Sequence, residues 1–529
     1  MEKRGHNILF HTHTVSGIVI SVALYVIFFA GSFSFFRDAV TNWQLSHKVT
    51  VNDQLPLDLD RQLAQIALKH TLTGRDVELN HYYNVRNIGV SLGASKDSLA
   101  RVEDQNAAFF YLDTDTGDTN TYMESYALGE FLYRLHFFAQ IPYPIGYYLS
   151  GFTAFFFLFA IVTGILVHWK KIVSHFYVFR PWTKLKTLWT DAHTALGLIG
   201  FPFQFVYALT GAFFMINGIF TFPLELGLYD GDEAKMNADL GYAQAVYDSH
   251  GIPLENPFRI DPFLEQTRAE WPNFNITGVQ LHNYGDTNMH LTLTGKLAPN
   301  VKFNGTGQRT YRFRDRKIVS ETDPRTNNTY SAGVANTLLR IHLGDYAGTA
   351  LRVISFLLGL VSCVVILSGV MVWLVARDKQ NIPPKRRRFN YLVAKVYMAI
   401  CLSMLPVTAL EFILVKVAPR TTMEFIYTTY FCIWLAATLF FSLRHTIAFT
   451  NRWTLISGGI LGLLVPLANG LHSGKWPWFW YAESYFDVLL IDVLWTILGA
   501  ISLWVALFKL GKPNSASKRV MAGQRKLSQ

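Results

Sequence analysis

The chain has 529 residues, 51% hydrophobic and 15% aromatic, with a formal net charge of +10 and three cysteines. That balance places it among membrane proteins. Cys363, Cys401 and Cys432 all lie inside apolar runs, which excludes a disulfide framework or a zinc-ligand spacing, and the basic residues flank apolar runs, which marks them as topology signals rather than a nucleic-acid surface.

A bilayer span needs about 20 apolar residues, and eight segments qualify: 15–36, 145–169, 196–220, 350–375, 391–415, 425–443, 455–471 and 488–508. The first exceeds the roughly 7–15 residues of a signal-peptide core, and no A-x-A-like site follows it, so it is expected to be retained. Residues 1–36 therefore form a tail and the first span. Residues 37–131 turn polar and predict a small α+β insert, with a helix over 57–68, strands over 85–92 and 107–112, and a turn at Asp113–Asp118. Residues 132–220 hold spans two and three. A second α+β insert is expected over 221–337, with helices at 242–247 and 262–271 and strands at 279–284, 289–293, 308–313 and 317–321. Span four occupies 338–377, a basic loop 378–390 contains Lys385 to Arg388, a four-span extension fills 391–510, and 511–529 is a basic tail. In the extension, Lys475-Trp476-Pro477-Trp478-Phe479-Trp480 reads as an interfacial aromatic belt.

If the spans alternate, the basic residues Lys3, Arg4, Lys170, Lys171, Lys184, Lys186, Arg377, Lys379, Lys385 to Arg388 and those after Lys509 share one side. The positive-inside rule makes that side, and both termini, cytoplasmic, and puts both inserts opposite.

The first four spans read as an internal duplication. Leu132-Tyr133-Arg134-Leu135-His136 matches Leu338-Leu339-Arg340-Ile341-His342, and His13-Thr14-Val15-Ser16-Gly17 matches His193-Thr194-Ala195-Leu196-Gly197. Gly31-Ser32-Phe33 and Gly211-Ala212-Phe213 follow at equal spacing. His13 and His193 thus open spans one and three at one face, and His136 and His342 open spans two and four at the other. A lone histidine at a span end is usually an interfacial group. Four at matched positions suit two bis-histidine iron porphyrins in a helical bundle, whereas zinc would need Cys, Asp or Glu ligands that are not near them at ligand spacing. Gly151, Gly164, Gly197, Gly211, Gly359 and Gly369 would give a porphyrin room, or simply let membrane helices pack closely. Arg134 and Arg340 suit haem propionates or an anionic substrate; alternatively they snorkel to the interface. Two cofactor levels would divide the membrane into shorter electron hops.

On these residues, with Thr163-Gly164-Ile165-Leu166, Ser368-Gly369-Val370-Met371 and the turn at Asp113 to Gly117, the chain resembles over residues 1–377 the PepSY-associated transmembrane-helix family and its ferrioxamine-reductase-like inner-membrane siderophore reductases. The resemblance implies a bacterial inner-membrane oxidoreductase with two haems b, PepSY-like periplasmic inserts, electrons drawn from the cytoplasm, and reduction of ferric siderophores or related iron chelates in the periplasm. Carried over, the axial ligands are His13 with His193 and His136 with His342. The four-span extension departs from the smaller reductases. His168 and His445, both near the cytoplasmic ends of their spans, suggest a third haem, His11 competes with His13, and His472 has no evident partner. Trp373 stands where the first repeat has His168. No G-x-G-x-x-G dinucleotide fingerprint appears, so electrons would come from a flavoprotein reductase or from quinol. Other readings are a quinone-linked b-type cytochrome, an iron-chelate transporter with histidine proton relays, and a peptidase-regulating or scaffold protein without redox activity.

Overall fold

A computed structural model describes residues 3–48, 55, 58–81, 85–96, 100–169, 185–240, 245–254, 258–326, 329–444 and 446–510. These fall into two compact units: a helical one (1–46, 127–220 and 349–529) and a sheet-bearing one (47–126 and 221–348).

Among the described residues, eight helices are long and apolar enough to cross a membrane, so the chain is a multi-pass membrane protein. They are α1 (Lys3–Ser34), α5 (Ile145–His168), α7 (Phe201–Tyr229), α11 (Gly348–Arg377), α12 (Pro384–Val417), α13 (Met423–Leu443), α14 (Ile447–Ser473) and α16 (Phe486–Trp504), the last continued by a π-helical turn at Val505–Lys509. Shorter helices in this unit are α2 (Arg37–Leu45), α4 (Leu128–Leu135), α6 (Leu185–Ile199) and α15 (Pro477–Ala482). Span three differs from expectation: Gly200 separates α6 from α7, and Pro202 takes the second position of the new helix, where its missing N–H costs nothing. His193 therefore stands on a helix of its own. Threonine caps set two starts in the extension: Thr422 accepts from the Phe425 N–H, and Thr446 from the Phe449 N–H.

The helical unit closes around aromatic packing. α1 packs on α5 and α4, α12 on α14 and α13, and α16 on α14 and α2. Phe33 stacks on Trp495 at 5.6 Å between ring centroids, and Trp43 meets Phe412 at 5.3 Å. The expected boundary of the first insert is corrected here. Residues 37–46 are polar in composition, yet α2 returns into the helical unit, because the fully buried Trp43 donates its indole N–H to Asp492 Oδ1 at 2.8 Å. Asp492 also accepts from Asn469, and Lys416 Nζ donates to the Trp43 carbonyl at 2.6 Å and Ser46 Oγ at 2.9 Å. A buried charge is tolerated only when its hydrogen-bonding capacity is met in this way.

The sheet unit corrects the expectation of two separate inserts. Its strands are β1 (Val77–Asn80), β2 (Asn87–Leu92), β3 (Ala108–Asp113), β4 (Thr119–Asn120), β5 (Phe274–His282), β6 (His290–Leu297), β7 (Thr306–Arg312) and β8 (Lys317–Thr322). They form one antiparallel sheet in the order β4-β3-β2-β1-β5-β6-β7-β8. The seam is β1 on β5, with Val77 opposite Leu281 and Leu79 opposite Val279. Alternation along the strands sends Leu79, Val90, Leu281 and Leu293 into one core, covered by α3 (Leu59–Ala67) through Leu63 and Ile66 and by α9 (Asp261–Glu270) through Phe263 and Leu264. The two helix starts cap each other. Asp261 Oδ1 accepts the Leu59 N–H at 2.9 Å, and Asp60 Oδ1 accepts the Ile260 N–H at 2.7 Å. Burial first, and the Asp60 charge second, push the Asp261 carboxyl up to about 6.

The remaining helices of this unit are α8 (Glu233–Asp239) and α10 (Tyr330–Leu343). The helix expected over 242–247 is not formed at residues 245–247, and residues 241–244 lie outside the described residues. Tertiary contacts override the local pattern: the Tyr247 ring stacks on His290 at 3.8 Å, and its carbonyl accepts from Asn283.

Candidate functional site

His13 on α1 and His193 on α6 come together. Their ring centroids are 6.1 Å apart and their planes 66° apart. Each ring is fixed by a carbonyl on a neighbouring span: His13 Nδ1 donates to Ala160 O on α5 at 2.9 Å, and His193 Nδ1 to Val365 O on α11 at 2.9 Å. A carbonyl can only accept, so Nδ1 carries the proton in both rings and Nε2 keeps its lone pair as a metal ligand. The same carbonyls accept from hydroxyls, Thr163 Oγ1 at 3.1 Å and Ser368 Oγ at 2.8 Å.

Glycine at the next turn makes the close approach possible. A Cβ on Gly164 would lie 3.1 Å from His13 Cε1, and one on Gly369 would lie 3.0 Å from His193 Cε1, tighter than ordinary contact. One turn beyond each histidine the space is open: a Cβ on Gly17 would meet nothing within 4 Å, and one on Gly197 only Val365 Cγ1 at 3.8 Å.

The separation fits two ligands on one metal ion. With metal–nitrogen bonds of about 2 Å and about 1 Å more to each ring centre, trans imidazole centroids lie about 6 Å apart. Among the described residues no three His, Cys, Asp or Glu side chains converge as a protein-only metal site. The open strips beside Gly17 and Gly197 leave space next to the two rings.

The other expected site residues are distributed as follows. His11 is exposed, while His13 is the residue bonded to α5. His168 ends α5 one turn past Gly164, as Trp373 lies one turn past Gly369 on α11. His445 lies outside the described residues, as do Lys170, Lys171 and Lys184. His136 directly follows α4. Its Nδ1 donates to the Tyr133 carbonyl, and its Cβ is 3.7 Å from where a Gly31 Cβ would sit. Around it, Arg37 lies over the Tyr133 ring at 4.5 Å and pairs with Glu130, and Arg134 is 3.7 Å from Glu130. Arg37 was missed in the sequence, though its place right after the first span marks it as an interfacial cation. His342 sits in the last turn of α10, in the sheet unit. Arg340, buried on the same helix, reaches Asp345 Oδ1 at 3.5 Å and the Leu297 carbonyl at 3.4 Å, so much of its donor capacity is engaged inside that unit. Trp43 is buried against Asp492, whereas Tyr143 is 77% exposed.

Comparison with known proteins follows the same residues. The family described as PepSY-associated TM region matches residues 10–376, which span all four histidines. An uncharacterized protein of Pseudomonas aeruginosa is 21% identical over 334 residues, covering 60% of this chain and 79% of that protein.

Proposed function

We propose, from the premise that this chain belongs to the PepSY-associated TM region family, that it is a di-haem oxidoreductase of the bacterial inner membrane that carries electrons outward to reduce ferric siderophores or related iron chelates. The observation that carries the reading is the His13–His193 pair: two imidazoles with Nδ1 pinned to carbonyls, Nε2 left as ligand, and centroids 6.1 Å apart. Haem b held there supplies one-electron exchange between ferric and ferrous iron.

The residues of this chain do the rest. Ala160 and Val365 fix the ring orientations, and a donor bond from the second nitrogen raises ligand basicity. Gly164 and Gly369 let the rings approach their carbonyls. The repeated pentads support a second pair, His136 with His342, at the other end of the spans, and we assign the second haem to it. Arg377, Lys379 and Lys385 to Arg388 flank span ends on the His13 side, which supports a cytoplasmic position for the first pair and a periplasmic one for the second. The sheet unit is then periplasmic, and a PepSY-like role for it rests on the family alone. Electrons enter from a cytoplasmic flavoprotein reductase or from quinol. The acceptor takes one electron at its iron; the ferrous ion has the lower charge, so oxygen ligands hold it less tightly and release needs no hydrolysis.

The test is spectroscopic and then kinetic. Purified protein is expected to show two low-spin haems per chain by pyridine-haemochrome assay. Dithionite-reduced protein is expected to be reoxidised anaerobically by a ferric hydroxamate chelate. A colourless protein removes the reading; reoxidation by quinones but not by ferric chelates makes the protein a quinone-linked cytochrome.

A further inference from the structure

A flat macrocycle between His13 and His193 leaves one question open, namely what receives its charged edge. Haem b carries two propionate carboxylates on one side. Placed within a bilayer they turn toward a span end and seek hydrogen-bond donors.

Trp189 lies one turn before His193 on α6, so the two side chains share a face. Helical side chains lean toward the helix N-terminus, which carries the Trp189 indole away from His193 toward the end of the unit. Its Nε1 atom is buried and has no hydrogen-bond partner among the described residues. An unpaired buried donor is an exception that asks for a reason.

The neighbouring span supplies a cation at the same level. α6 and α11 run antiparallel here: a Gly197 Cβ would meet Val365, and His193 meets the Val365 carbonyl and the position of a Gly369 Cβ. One further turn brings Trp189 level with residues 373–377. Arg377, the last residue of α11, is half-buried and makes no carboxylate ion pair among the described residues. Its Nη1 bonds the Trp373 carbonyl at 3.4 Å, and its guanidinium lies over the Trp373 ring at 4.8 Å. The side chain is thus held along the strip that runs Val365, Gly369, Trp373, Arg377, the strip that also touches His193.

We infer that Trp189 Nε1 and the Arg377 guanidinium bind the propionate edge of the haem ligated by His13 and His193. This rests on the haem reading above. The indole supplies one neutral N–H donor and the guanidinium supplies charge with a planar fork that matches a carboxylate. The sequence expected arginine–propionate contacts only at Arg134 and Arg340, on the opposite side.

The experiment measures haem loss from purified holoprotein to excess apomyoglobin, for wild type, Trp189→Phe, Arg377→Gln and the double variant. Trp189→Phe keeps an aromatic ring and removes the N–H donor, and Arg377→Gln keeps a long polar side chain and removes the charge and the planar fork. A charge-assisted hydrogen bond changes an equilibrium by about ten- to a hundredfold, so each single variant is expected to lose at least one haem about tenfold faster, and Arg377→Lys to recover part of the hold. The same proteins are then stripped and reloaded with haem dimethyl ester, which has no carboxylates. With the ester the variants and wild type are expected to lose haem at equal rates. Unchanged loss of natural haem, or equal acceleration for natural and esterified haem, overturns the inference. If one variant fails to fold, the other carries the test. Wild-type protein that holds no bis-histidine haem refutes the parent reading instead, so the two failures are distinguishable.

Discussion

Gly369→Ala tests the His193 site through a single methyl group. The new Cβ would stand 3.0 Å from His193 Cε1, where ordinary contact begins at 3.4 Å. The ring must therefore retreat by about 0.4 Å, which stretches the 2.9 Å bond from Nδ1 to Val365 O past the usual limit of about 3.2 Å. Overpacking of this kind costs about 1–3 kcal/mol, and weakening the hydrogen bond adds up to about 1 kcal/mol. The better helix propensity of alanine returns about 1 kcal/mol. The net penalty of up to about 3 kcal/mol falls on the ligand geometry, and about 1.4 kcal/mol is a factor of ten in affinity. Haem per chain, read from the low-spin absorbance of protein purified in detergent, is expected to fall, together with a lower melting temperature. Gly164→Ala should behave alike, since its Cβ would lie 3.1 Å from His13 Cε1. Gly218→Ala is the control: a Cβ there meets nothing within 4 Å, and the propensity gain should stand alone. If Gly369→Ala keeps full occupancy and an unchanged spectrum, His193 is not the ligand and the pairing with His13 falls.

Asp261→Asn should abolish a pH dependence of the sheet unit. The folded Asp261 carboxyl titrates near 6, above its unfolded value, so its stabilisation is present below about pH 4 and is lost as pH rises to about 6. Thermal melts between those values are expected to slope downward in wild type and to be flatter in the variant; an unchanged slope would refute the assignment to Asp261. Asp492→Leu should destabilise the helical unit by about 3–5 kcal/mol, because it strands the Trp43 and Asn469 donors and removes the charge facing Lys416; a melting temperature within a degree of wild type would refute that account. A cysteine at Asp115 or Asn304 is expected to react with a membrane-impermeant thiol label in intact spheroplasts, and one at Lys385 to react only after lysis. The reverse pattern would invert the direction of electron flow.

The spans were legible because about 20 apolar residues is a compositional signal that needs no partner. His13 and His193 were legible through their repeated H-T-x-x-G setting. Their anchors were not, because Ala160 and Val365 act through backbone carbonyls that leave no side-chain signature; the trace in the sequence is glycine four residues later, at Gly164 and Gly369. α2 was hidden for a different reason. Its composition is polar, and what buries it is a bond from Trp43 to a carboxylate 449 residues away. The single sheet was hidden in the same way, since β1 has only four residues and its seam partner lies far along the chain. A clue was present in Leu59-Asp60-x-x-Leu63 and Ile260-Asp261-x-x-Leu264, the two helix starts that cap each other.

The seam between β1 and β5 also sets a constraint on biogenesis. Val77 waits for Leu281, 204 residues later, and α5 and α7 must be threaded into the bilayer in between. At about 5–20 residues per second of synthesis, the edge of β1 stays unpaired for roughly 10–40 s while its half-sheet has already left the ribosome. A four-residue strand that alternates Val and Leu with Glu and Asn is a poor template for stray pairing during that interval. The shortness of β1 therefore protects the nascent chain from aggregation at the stage when it is most exposed.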